Sequence, residues 1–181
     1  MNLYIVRHGQ TDWNLEGRIQ GLSDVELNKT GIYQAKALRD KLSNVNFDLC
    51  ISSPLKRAAK TAEIVADNRC KIIYDGLLVE RSYGKKEGAI SEKAPYSTDR
   101  KLGKKDDDPD FEPLDSMLDR AEKFLKKIQN LNAENLLVVS HGTFLKAIYY
   151  TILGYDENTD FLAWNLQNCG YEKLELPTKS S

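Results

Sequence analysis

Two apolar runs in this chain end the same way. Residues 3–6 read LYIV and lead into Arg7, His8 and Gly9, and residues 136–139 read LLVV and lead into Ser140, His141 and Gly142. Short runs this rich in Leu, Ile and Val predict strands covered on both faces, which belong in a parallel sheet. The two histidines that follow them are the only ones in 181 residues. In an open parallel sheet, ligands bind beyond the carboxyl ends of the strands. Two imidazoles in matching positions are therefore expected to meet at one edge of the molecule.

The rest of the chain alternates in the manner such a sheet requires. A polar, glycine-containing loop is expected over 9–28, then a helix over 30–42 with Ile32, Ala35, Leu38 and Leu42 on one stripe. A second strand is read at 47–51, followed by a helix in which Ser53 is the cap, Pro54 sits in the first turn, and Ala58, Ala62 and Val65 face inward. A third strand is expected at 71–74, a helix at 114–131, and a helix at 144–153 ended by Gly154. Residues 161–166 and 171–176 read as a closing strand pair turning at 168–170, with a frayed tail beyond. Strands alternating with helices predict an α/β fold, a three-layer α/β/α sandwich on a mostly parallel central sheet. Its length fits one domain over 1–181, without repeats or linkers. The exception is a charged stretch at about 84–113, GKKEGAISEKAPYSTDRKLGKKDDDPDFEP, poor in apolar periodicity. It reads as a solvated insertion or as a lid over a site.

The formal net charge of −1 gives no global reason to expect nucleic acid or a membrane surface, so any anion site must be a local gathering of cations. No apolar run approaches the roughly 20 residues of a membrane-spanning helix. Nor does the start of the chain resemble a signal segment, which makes a cytoplasmic address the expectation. Cys50, Cys70 and Cys169 are too widely spaced to suggest a disulfide framework or a zinc site and are expected to be reduced thiols. No metal or cofactor is called for.

Arg7 adjoins His8, and Arg57 lies one turn into the helix that begins after the second strand, near the same expected edge. Alone, Arg57 would read as an exposed helix charge. Beside a helix N-terminus and a second arginine, its planar fork suits phosphate oxygens. Glu80 follows the third strand, either as a structural ion partner or as a proton donor.

The blocks RHGQTDWN, GRIQGLSDVELNKTG, SSPLKRAAKTA, ERSYGKKEG and VVSHGTFLKA, in that order, closely resemble the histidine phosphatase superfamily, in its phosphoglycerate mutase-like branch. The resemblance implies that His8 accepts the phosphoryl group, that Arg7, Arg57 and His141 bind its oxygens, and that Glu80 protonates the leaving oxygen. It further implies that Asn14 adds a hydrogen bond to the phosphate, with Gln20, Gly21 and Thr143 bordering the substrate. Arg18 matches the pattern without an assigned role. Gly9 is expected to leave room for the phosphate, and His141 to act as a protonated imidazolium.

The activity implied is a metal-independent phosphatase acting on a small phosphate monoester through phosphohistidine. The alternatives are a cofactor-dependent phosphoglycerate mutase and a non-catalytic phosphate-binding module. The mutases carry paired arginines in a longer insertion, whereas this chain has no Arg-Arg pair, only Lys93 and Arg100 in the corresponding stretch. Thr143 stands where the mutases have asparagine. EPLDS, with Asp115, stands where many phosphatases show Gly-Glu-Ser. Both departures bear on substrate preference, which is expected to reside in 83–113, where Tyr83 and Tyr96 are candidates to stack a ring. The expected partner is a small phosphorylated substrate, with no nucleic acid and no membrane, for a monomer or homodimer.

Overall fold

The computed structural model describes residues 1–91, 102–103 and 107–176. Its strands are β1 (Asn2–Arg7), β2 (Leu49–Ser52), β3 (Lys71–Tyr74), β4 (Asn135–Ser140) and β5 (Tyr171–Glu175). Its helices are α1 (Asp12–Leu15), α2 (Lys29–Lys41), α3 (Lys56–Ala66), α4 (Leu114–Ile128) and α5 (Gly142–Leu153). The strands form one sheet in the order β3-β2-β4-β1-β5, parallel except for β5, which runs antiparallel along β1.

Strand alternation sorts the core into two halves. Leu3, Ile5, Ile51, Leu136 and Val138 pack with α4 and α5, against side chains such as Phe124, Leu125, Phe144 and Ile148. Tyr4, Val6, Cys50, Leu137 and Val139 pack on the other face with Ala35 and Leu38 of α2 and Ala58, Ala62 and Val65 of α3. Period-2 strands and period-3.6 helices thus bury complementary faces, which is the three-layer α/β/α arrangement read from the sequence. No helix among the described residues is long and apolar enough to cross a membrane.

The structure corrects several local expectations. Residues 161–166 form no strand; Asp160 Oδ1 accepts the Leu162 N–H at 2.9 Å, an Asx turn that competes with extension. Phe161 and Leu166 are nonetheless buried against α4 and α5, so their apolarity signalled burial, not pairing. The loop expected over 9–28 contains α1, closed by a reciprocal capping box between Thr11 and Asn14. The second strand begins at Leu49 and the α4 helix ends at Ile128. Ser53 does not cap α3: the cap position is Leu55, and the Lys56 N–H donates to Asp24 Oδ1 at 2.7 Å. Within the insertion expected at 84–113, a 3-10 turn spans Gly84–Lys86, and Tyr83 and Phe111 form an isolated antiparallel bridge. Lys93, Tyr96 and Arg100 lie outside the described residues.

Candidate active site

Register brings the two histidines together. β1 and β4 are adjacent and parallel with Arg7 opposite Ser140, so His8 and His141 are the next residues along each strand. Their ring centroids stand 5.2 Å apart, and both side chains are buried. A cleft of about 140 Å³ opens beside them. It is lined by Arg7, His8, Asn14, Gln20, Gly21, Arg57 and Glu80, together with Arg18, Ile19 and Tyr83. Of the nine site residues expected from the sequence, His141 and Thr143 do not line the cleft. They back residues that do: His141 lies against His8, and Thr143 Oγ1 shares a 2.8 Å hydrogen bond with the Tyr83 hydroxyl.

His8 has a defined tautomer. Its Nδ1 lies 2.7 Å from Gly9 O, and a carbonyl oxygen only accepts, so Nδ1 carries the proton and Nε2 keeps a lone pair. Burial, then Arg57 and Arg7, push the His8 pKa well below 6.5. A neutral ring with a free Nε2 is what a nucleophile facing a phosphate dianion needs.

The arginines are anchored by main chain. Arg57 is fully buried and donates from Nη1 to Ser23 O at 2.7 Å and from Nη2 to Gly21 O at 2.8 Å. Burial lowers its pKa to about 10, which still leaves it cationic near neutrality. Arg7 Nη1 donates to Leu166 O at 2.7 Å. Among the described residues, four buried side-chain polar atoms lack a hydrogen-bond partner, and three of them are Arg7 Nε, Arg57 Nε and His141 Nδ1. An unmet buried donor costs about 1–3 kcal/mol, so the Nε–H groups of the two arginines that line the cleft favour an acceptor-rich anion beside them.

His141 departs from expectation. Burial, then Arg57 and His8, hold its pKa well below 6.5, so the ring is neutral in the unliganded protein. Its Nε2 lies 2.8 Å from Ser53 Oγ, the serine expected to cap a helix. Gly9 also departs: a Cβ there would stand 2.6 Å from Gly31 O of α2. The glycine is required by this backbone crossing.

Glu80 reaches the site by capping α5. Its Oε1 accepts the N–H groups of Arg81 and Phe144, both at 2.9 Å, and Oε2 accepts that of Thr143 at 3.1 Å. The helix thereby finds acceptors for two of its free N-terminal donors. Asn14 Oδ1 accepts from the Thr11 N–H at 3.1 Å and from Asn168 Nδ2 at 3.2 Å, which leaves the Asn14 amide nitrogen for a ligand. Gln20 Oε1 accepts from Thr11 Oγ1 at 3.0 Å. Arg18, at the cleft wall, is paired with Glu16 and donates to Gly88 O at 2.8 Å.

Sequence reading missed Asn168, Thr61 and Glu87. Asn168 Nδ2 donates to His8 O at 3.0 Å, and Thr61 Oγ1 accepts the Gly9 N–H at 3.0 Å. The Glu87 carboxylate accepts the N–H groups of Leu22 and Ser23, both at 2.9 Å, and so shapes the loop whose carbonyls hold Arg57. All three act across long sequence separations, and no local pattern marks them. No group of three or more His, Cys, Asp or Glu among the described residues is placed to hold a metal ion.

Comparison with known proteins identifies the family. The family model for the histidine phosphatase superfamily (branch 1) matches residues 3–180. The chain is 35% identical over 155 residues to the uncharacterized phosphatase PhoE of Bacillus subtilis (strain 168), covering 84% of this chain and 77% of that one. It is 32% identical over 185 residues to a probable phosphoglycerate mutase, GpmB, of Proteus mirabilis (strain HI4320), covering 97% and 85%. A crystal structure of an Entamoeba histolytica phosphoserine phosphatase variant in complex with phosphoserine superposes with a TM-score of 0.81 at 31% identity, covering 95% of this chain and 89% of that one. The chain belongs to branch 1 of the histidine phosphatase superfamily.

Proposed function

We propose that this protein hydrolyses small phosphate monoesters, without a metal, through a phosphohistidine at position 8. The observation that carries the reading is the bond from His8 Nδ1 to Gly9 O, which presents Nε2 as an uncharged nucleophile in a cleft walled by Arg7 and Arg57. Phosphoryl transfer demands alignment and neutralisation of the equatorial oxygens, which two guanidiniums and the Asn14 amide can provide. The Nε2 lone pair attacks phosphorus as the P–O bond to the leaving group breaks. Glu80 gives its proton to the departing oxygen; Oε2, which accepts one backbone N–H against two for Oε1, is the oxygen with room to carry it. In the second half, water attacks phosphorus, Glu80 takes its proton back, and inorganic phosphate leaves with His8 neutral again. His141 lies against His8 behind the cleft wall with Nδ1 unpartnered, and a bound dianion that offsets the surrounding cations would favour a proton on that ring.

A cleft of about 140 Å³ favours a compact substrate. Likeness to a phosphoserine phosphatase makes phosphorylated small acids the first class to test. The experiment is a substrate panel read by phosphate release, including phosphoserine, sugar phosphates, and 3-phosphoglycerate with and without 2,3-bisphosphoglycerate. Phosphate release that survives EDTA is expected, with an acid-labile adduct trapped at residue 8 and both lost in folded His8→Ala. Isomerisation of phosphoglycerate without phosphate release would mean a mutase. Silence on every ester would mean a binding module.

A further inference from the structure

Residues 75–80 leave the sheet after β3, and from Leu77 to Glu80 their carbonyls have no strand ladder to enter. Buried main-chain acceptors must then find donors from elsewhere. Ser140 Oγ donates to Leu78 O at 2.7 Å. Arg120, on α4, supplies the rest: Nη1 donates to Leu77 O at 2.8 Å and Val79 O at 2.7 Å, and Nη2 to Glu80 O at 3.4 Å. The other side of the fork is gripped by Glu112, with Nε to Oε1 at 2.9 Å and Nη2 to Oε2 at 2.8 Å. Both partners are largely shielded, with side chains 15% and 18% exposed, so this bidentate pair is far less screened than a surface ion pair.

The same guanidinium lies 4.1 Å from the centroid of the Phe144 ring, and the Phe144 N–H is one of the donors that hold the Glu80 carboxylate. Arg120 therefore fixes Glu80 at both ends, by the carbonyls of its own segment and by the residue its carboxylate grips. Neither Arg120 nor Glu112 lines the cleft.

We propose that the Glu112–Arg120 pair is a positioning device for Glu80, setting how well the leaving oxygen is protonated. The inference rests on the reading of Glu80 as the proton donor. A misplacement of about 1 Å can cost a catalytic group as much as a hundredfold. A brace with a merely structural role would slow all substrates together, whereas a device aimed at the acid affects those whose leaving group needs a proton.

The test compares kcat/KM for an alkyl phosphate and for p-nitrophenyl phosphate, whose leaving group departs readily as an anion, in wild type, Glu80→Gln, Arg120→Met, Arg120→Lys and Glu112→Gln. That constant reports the half-reaction in which the leaving group departs and not the later hydrolysis that Glu80 also serves. Arg120→Met is expected to lower kcat/KM on the alkyl ester by about tenfold to a hundredfold, and to leave kcat/KM for p-nitrophenyl phosphate nearly unchanged. Arg120→Lys keeps charge and ring contact without the fork and should recover part of the loss. The double variant Glu80→Gln with Arg120→Met should be no slower on the alkyl ester than Glu80→Gln alone. Equal slowing of both esters by Arg120→Met, or multiplied losses in the double variant, would overturn the positioning role. If Arg120→Met does not fold, Glu112→Gln carries the same comparison. Should Glu80→Gln itself slow both esters equally, the proton-donor reading falls and the device with it. Should Glu80→Gln discriminate and the Arg120 and Glu112 variants not, the device alone falls.

Discussion

His8 is held by main chain more than by its ring. Its N–H donates to Ser140 O at 3.0 Å, and its carbonyl accepts the Cys169 N–H at 3.2 Å and Asn168 Nδ2 at 3.0 Å. The next peptide is fixed by Thr61 and by the crossing with α2, where Gly9 and Gly31 meet without side chains. A methyl at Gly9 would press on the Gly31 peptide, which cannot rotate out of the way as a side chain could. We expect Gly9→Ala to cost about 1–3 kcal/mol in a urea melt, the usual range for overpacking. Activity should fall by more than the unfolded fraction explains, because the displaced carbonyl is the one that selects the His8 tautomer. A variant with wild-type turnover would show that the crossing does not set the nucleophile.

The α3 helix shows what one element contributes and why local pattern could not reveal it. Arg57 stands at its second residue, and the first, Lys56, is capped by Asp24 from 32 positions earlier in the chain. The loop carrying Asp24 also supplies both carbonyls that aim the Arg57 fork. Asp24→Ala is expected to lose about 1 kcal/mol of stability with the cap. It should also weaken inhibition by inorganic phosphate as the loop relaxes. Loss of stability with an unchanged phosphate inhibition constant would separate the cap from the site. The sequence made legible those features that chemistry ties to a strand end: Arg7 closing β1 with His8 just beyond it, His141 after β4, and Arg57 in the helix after β2. It left dark whatever depends on distant partners. Ser53 has the local signature of a cap but meets His141, 88 residues away. Residues 161–166 look like a strand in sequence because apolar content reports burial, while pairing depends on a free edge elsewhere. Glu80 was legible as a carboxylate in the right place, but its role as the α5 cap follows from which helix arrives there.

The sheet order places β4 and β1 side by side near the middle, so both histidines end buried among cations rather than at a solvent-facing rim. That arrangement has a cost in acid that can be measured. Burial and the neighbouring arginines depress both histidine pKa values well below 6.5, so the folded protein refuses protons that the unfolded chain takes up near 6.5. Each histidine's contribution to stability is therefore fully present above that pH and is lost as pH falls toward the folded-state value. The slope in that window is about 1.4 kcal/mol per pH unit for each histidine. Urea melts between pH 7 and pH 5, above the range where ordinary carboxylates titrate, should show stability falling with acid in wild type. The slope should shrink by about 1.4 kcal/mol per pH unit in His8→Asn, and by as much in His141→Asn. A wild-type slope retained by both variants would mean that the fold does not hold the two rings neutral, because they would take up protons there as readily as in the unfolded chain. His8 would then become an imidazolium in mild acid, with no lone pair on Nε2 to offer phosphorus, and turnover would fall with acid as the ring charges.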